Sequence, residues 1–279
     1  MTRPSRHLAT AAATVALIVM CAAGGFAQRI WYGGYGYTPP RFPTAQSFKG
    51  SFNFCRAMFE SNRREKRGWS TDYPGADLNF STRLAELTRA SVTMRHDAEE
   101  ADAPDAVVVR LTDDALLKCP FLLMEDAGTA DFSGEEARRL GEYLLKGGFL
   151  FVSDYWGDFG REQFDEQIGL ALPPRQYPIV DLPLNHSLWH TLFEQKNIPQ
   201  MPSIQSWRRT GGNTDRGVFD PPSARGIADE RGRLMVVMLH NTDIPDGWER
   251  EGEDPEYFYR FSPDAYAVGI NIVMYAMTH

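Results

Sequence analysis

Lys146-Gly147-Gly148-Phe149-Leu150-Phe151-Val152-Ser153-Asp154 is the stretch that decides the fold. Upstream, Ser133 and Glu136 have the spacing of a capping box, and Ala137, Leu140, Tyr143 and Leu144 recur at helical spacing up to the two glycines. Gly147 and Gly148 supply the backbone freedom to leave that helix. The apolar run after them suits a strand covered on both faces, so Asp154 emerges at the carboxyl end of a buried parallel strand, where open α/β sheets gather their ligands. The turn that follows, Ser153-Asp154-Tyr155-Trp156-Gly157, contains neither a Cys nor a Gly-x-Ser-x-Gly nucleophile elbow.

The same grammar extends in both directions. Phe52–Phe59, Ala106–Leu111, Phe121–Asp126 and the hairpin-fed Gly232–Asn241 read as further strands. Helices are expected over Leu78–Thr93, Arg161–Leu172 and Ala265–Met277. Pro173–Asp229, with its many Pro and Gly residues, reads as loop with short elements, and the acidic stretch running to Glu256 as a solvated loop. Strands alternating with helices predict an α/β three-layer sandwich around a mainly parallel sheet.

Residues 1–7 carry Arg3 and Arg6 with no acid, and Leu8–Ala27 is almost wholly apolar or small, which is the pattern of a secretory signal peptide at 1–27; an uncleaved anchor is the alternative. The folded part is then exported, and touches a membrane only if that segment is retained. Residues 28–47, rich in Gly, Pro and aromatics, form a lead-in or strap, and 48–279 a single domain. Loss of the two leader arginines takes the net charge from -8 to -10, which excludes nucleic acid as a partner class. The apolar settings of Cys55 and Cys119 favour buried free thiols over a bridge.

Asp126 and Asp154 end what should be neighbouring strands, so their carboxylates can face one crevice; the competing reading is that each caps a helix or ties down a loop. Asn241 and Asp243 leave another core strand and, with Trp248, make a second wall able to hydrogen-bond and stack on a polar ligand, or else an Asx-turn over a buried aromatic. His186 and His190 have i, i+4 spacing, but no Glu stands between them as in a zincin helix, and no residue set is assigned to a metal. Asn271, inside the apolar closing helix, must find buried partners and reads as structural. The basic run Arg63–Arg67 reads as an exposed loop.

Phe54–Phe59 with Trp69, Pro74 and Asn79, Cys119–Met124, Ser133–Gly148, Asp154, Asn185-His186-Ser187-Leu188, Gly232-Arg233-Leu234, Asn241-x-Asp243 with Gly247-Trp248-Glu249, and Asn271 with Tyr275-Ala276 together resemble the bacterial DUF4159 family. The resemblance spans most of the chain after Phe48. It implies a domain similar to the class I glutamine amidotransferase-like, flavodoxin-like sandwich, and keeps His186 among the candidate site residues; it implies no defined reaction. Amidotransferases of that fold place a Cys nucleophile where this chain has Asp154, and Ser187 stands where the family pattern has Pro after the His.

Two functions from different classes follow. One is a non-catalytic exported domain binding a protein partner or an envelope glycan through a crevice lined by Asp126, Asp154, His186, Asn241, Asp243 and Trp248. The other is a hydrolase with Asp126 or Asp154 as general base, with a divalent metal and His186 nearby. A third use, assembly through the aromatic lead-in, rests on its composition alone. The sequence names no cofactor.

Overall fold

The computed structural model describes residues 38–63, 68–95 and 103–279. The leader, the lead-in up to residue 37, and Arg64, Lys66 and Arg67 of the basic run lie outside the described residues.

Among the described residues seven strands form one sheet: β1 (Cys55–Met58), β2 (Val107–Arg110), β3 (Leu122–Met124), β4 (Leu150–Val152), β5 (Val180–Asp181), β6 (Ser223–Ala228) and β7 (Leu234–His240). Their order is β2-β1-β3-β4-β7-β6-β5. The first five in that order are parallel, while β5 and β6 run antiparallel at one edge. Among the described residues six helices accompany the sheet: α1 (Gly75–Leu87), α2 (Gly134–Leu145), α3 (Gly157–Ala171), α4 (Ile204–Thr210), α5 (Asp246–Glu249) and α6 (Pro255–Thr278).

Strand periodicity divides the core into two layers. Phe121, Leu123, Phe149, Phe151, Val237 and Leu239 pack against Leu78, Phe80 and Leu84 of α1, Trp248 of α5 and the apolar side of α6. Their alternates Leu122, Met124, Leu150, Val152, Val236 and Met238 pack against Ala137, Leu140 and Leu144 of α2 and Phe164 and Ile168 of α3. This is the three-layer α/β sandwich with a mainly parallel sheet that the alternating pattern predicts. Ser133 forms the capping box of α2, its side chain accepting from the Glu136 N–H while Glu136 reaches back.

Three expectations change. Cys55 and Cys119 are a disulfide, with Cα atoms 6.0 Å apart, not free thiols; β3 lies beside β1 in a register opposing Cys55 to Leu122, which brings the residue three positions earlier onto the same buried face. The closing helix begins at Pro255 rather than Ala265, because Asp254 caps it by accepting from the N–H groups of Glu256 and Tyr257, and proline is tolerated in a first helical turn. The Pro173–Asp229 segment contains β6, whose Ser-Ala-Arg-Gly-Ile-Ala carries little strand propensity and is held by pairing with β7.

The described end of the lead-in is a strap along the β2 edge. Arg41 accepts from the Val108 N–H through its carbonyl at 2.8 Å, pairs with Asp105 at 2.7 Å, and is followed by Phe42, whose ring lies 3.9 Å from the Arg110 guanidinium carbon.

A candidate site at the carboxyl ends of the strands

Strand order reverses between β1 and β3, since β1 connects outward to β2 on one side and β3 lies on the other; crevices at such points are where open α/β sheets bind ligands. The chain leaves β3, β4 and β7 there through the same device. Asp126, Asp154 and Asn241 all have left-handed backbone conformations, with φ of 51°, 51° and 58°. Asp and Asn enter that region more readily than other non-glycine residues, so the sharp exit and the polar side chain come together. The exits are tied to each other: the Asp154 N–H donates to the Thr242 carbonyl and the Asn241 N–H to that of Tyr155, both at 3.0 Å. Asn241 Oδ1 also accepts from the Gly157 N–H at the start of α3.

Asp126 and Asp154 do face one crevice, and an arginine bridges them. Arg216, in the loop before β6, reaches Asp126 Oδ1 at 3.1 Å and both Asp154 oxygens at 2.9 and 2.7 Å. Its own φ of 52°, followed by Gly217 at 75°, turns the loop down onto the sheet. Arg63 approaches Asp126 from the other side, donating from Nη2 to Oδ1 at 2.6 Å. The aspartates are 0% and 1% exposed, whereas the side chains of Arg63 and Arg216 keep 47% and 38% of their surface in solvent. Gly68 permits this closeness: a Cβ there would stand 2.5 Å from Thr129 Oγ1 and 3.0 Å from Asp126 Oδ2.

Burial pushes the Asp154 carboxyl up to about 7 against the opposing pull of Arg216, with Asp126 and Asp72 adding to the rise. Asp243 is raised well above the carboxylate range by burial and then by Asp154 and Asp72. Burial works against the charge on Arg216, but Asp154 and Asp126 outweigh it and hold the guanidinium protonated. Ser153 is no nucleophile: its hydroxyl is buried, donating to the Thr242 carbonyl and accepting from the Ile244 N–H, both at 3.2 Å.

Beneath this layer lies a second ionic group. Arg56, fully buried in β1, pairs with Asp77 and Glu125 and donates to the carbonyls of Trp69 and Thr71, which fixes the loop leading to α1. Asp72 in that loop, with φ 58°, then faces Asp246 and Glu249 of α5, a carboxylate set that could hold a metal ion. A cavity of about 300 Å³ opens beside the Asp126 side of the crevice, between the ends of β1 and β2 and the start of α2, lined by Phe59, Glu60, Trp69, Arg110 and Glu136 among others.

Asp126, Asp154, Asn241 and Asp243 therefore converge, and His186 and Trp248 do not join them. His186 caps a 3-10 turn at Ser187–His190 through Nδ1 and lies against Tyr275, which itself packs on Phe149 at the amino end of β4, so it belongs to the opposite end of the sheet. Trp248 is 0% exposed among Phe54, Phe80 and Phe151, a core residue and no stacking platform. His190 turns away to the Leu184 carbonyl and Glu194. Asn271 has the supporting role its setting requires, accepting from the N–H groups of Leu192 and Phe193 and donating to the carbonyls of Trp189 and Phe193.

Sequence reasoning missed Arg216 and Asp72, which sit in loops with no periodicity to mark them. Arg56 did carry a signal, a lone charge inside an apolar strand, because such a residue is buried only with partners.

No curated protein matches the chain. A family model described as "Domain of unknown function (DUF4159)" matches residues 60–277, a span that includes Arg63, Asp126, Asp154, Arg216, Asn241 and Asp243. The chain belongs to the DUF4159 family.

Proposed function

We propose that this chain is an exported, non-catalytic binding domain that engages an envelope protein through the face around Arg216. The observation that carries the reading is the Arg216 bridge itself. The strand-end position that holds a nucleophile in many α/β enzymes is here a buried aspartate already engaged by a guanidinium, and the neighbouring Ser153 hydroxyl is engaged too. Beside the bridge, the rim is apolar and exposed. Phe219, three residues after Arg216, is 83% exposed, and Phe159 in the first turn of α3 is 77% exposed. Val218 and Gly157 bring these two segments together, since a Cβ on Gly157 would lie 3.2 Å from Val218 Cγ2. Exposed aromatics around partly exposed arginines have the composition of protein-binding surfaces. The Cys55–Cys119 bridge supports an oxidising compartment, in agreement with the leader-like residues 1–27.

Site-specific crosslinking in cells tests this. The tagged chain should give a discrete crosslinked product that is lost with Phe159→Ser and Phe219→Ser, surface changes that leave the circular dichroism spectrum intact. An unchanged product in both variants would refute the assignment of the face. The specific observation favouring a hydrolase is the Asp154 carboxyl near 7, a value suited to a general acid or base. Turnover of an ester, amide or glycoside that vanishes in a folded Asp154→Asn variant would establish that reading instead.

A further inference from the structure

On the α1 and α5 side of the strand ends, away from Arg216, three carboxylates converge from two chain segments. One oxygen each of Asp72, Asp246 and Glu249 falls within 4.8 Å of the others. Asp246 and Glu249 share a face of α5 at i, i+3 spacing, and the left-handed turn at Asp72 brings the third carboxylate over them.

The enclosed oxygens lack donors. Asp72 Oδ2 and Glu249 Oε2 are shut away from solvent and have no aligned hydrogen-bond donor, in a protein interior where such oxygens are nearly always satisfied. Glu249 is 4% exposed, so bulk water does not serve it. The protein's own cation at this place is Arg250. It lies 2.7 Å from Glu249 Oε2 without the alignment of a hydrogen bond and 3.6 Å from Asp246 Oδ1, and it shares its charge with Glu253. Arg250 thus faces Asp246, Glu249 and Glu253, with Asp72 drawing on it and on Arg56, while Arg208 also pairs with Glu253.

We infer that Asp72, Asp246 and Glu249 form a binding site for a hard divalent cation of the calcium or magnesium class. The donors are all carboxylate oxygens, with no imidazole or thiolate in the set, which selects against zinc and copper. A dication supplies positive charge directly among the three carboxylates and takes up oxygens that no aligned N–H serves. The ion would join the turn before α1 to α5, two segments that otherwise meet through Asn79, whose amide donates to the Trp248 carbonyl at 2.9 Å, and through apolar packing.

The test is a titration of the full chain, stripped with EDTA, with calcium, magnesium or manganese chloride, followed by calorimetry and by thermal unfolding. One ion should bind per chain and raise the unfolding midpoint by several degrees. Glu249→Gln and Asp72→Asn should each weaken binding at least tenfold, while still unfolding cooperatively in EDTA. Asparagine keeps the left-handed turn accessible at position 72. The inference is overturned if the wild type binds none of the three ions, if it takes zinc in preference to them, or if both variants bind as tightly as the wild type.

Discussion

Replacing Asp154 by asparagine isolates the energetic cost of the strand-end carboxylate. Asparagine is nearly isosteric and tolerates a φ of 51°, so the exit from β4 is preserved. Its oxygen can still accept from Trp156 Nε1, as Asp154 Oδ1 does at 3.0 Å. The side-chain amide loses one of the two contacts to Arg216, an offset that does not depend on pH. Burial pushes the wild-type carboxyl up to about 7 in the folded chain, against an ordinary value of 3.8. Because the folded value is raised, its contribution to stability is fully present below about pH 4 and is lost as pH rises through 7. At about 1.4 kcal/mol per unit, the total loss is about 4 kcal/mol, of which about 2.5 kcal/mol falls between pH 5 and pH 8. Urea unfolding in EDTA at unit steps across that range should give the variant a flatter dependence of stability on pH by that amount. Equal slopes in the two proteins would refute the argument that burial governs Asp154. A flatter slope would identify a residue whose charge costs the fold at neutral pH, as expected where function keeps a group that stability alone would not.

Two further outcomes follow from the core. Opening the Cys55–Cys119 bridge by a Cys55→Ala, Cys119→Ala double change releases a loop of 64 residues and should lower stability by about 4 kcal/mol, read as a lower urea midpoint that reductant no longer shifts. Arg56→Met strands Asp77 and Glu125 without their cation and should cost about 3–5 kcal/mol at pH 7. Burial already raises both carboxyls, so they protonate as pH falls, and the loss at pH 5 should be smaller than at pH 7; a loss independent of pH would assign the cost to packing.

The strands and helices that meet the core were legible because burial on the sheet imposes periodicity: Phe149–Val152, Leu234–His240 and the Ser133–Leu145 helix announce themselves locally. β6 was not, since its strand character comes from its partner β7. The converging aspartates were half legible. A strand-end position is a local inference, and it placed Asp126, Asp154, Asn241 and Asp243 correctly at one edge. His186 was drawn toward that edge by family resemblance and Trp248 by its place in the chain just after the β7 exit, and neither carries information about side-chain direction; His186 lies at the far end of the sheet, and Trp248 is the buried aromatic of the alternative reading.

By itself the sequence determined the layers, the mainly parallel sheet and the edge at which polar residues leave the strands, because these depend on short-range pattern and burial. Only the tertiary structure decided that Arg216 bridges Asp126 and Asp154, that Asp72 meets Asp246 and Glu249, and that Cys55 finds Cys119. Each of these pairs residues 62 or more positions apart whose ionic, coordinating or covalent partners leave no periodic trace along the chain, and folding alone brings them within a few ångströms.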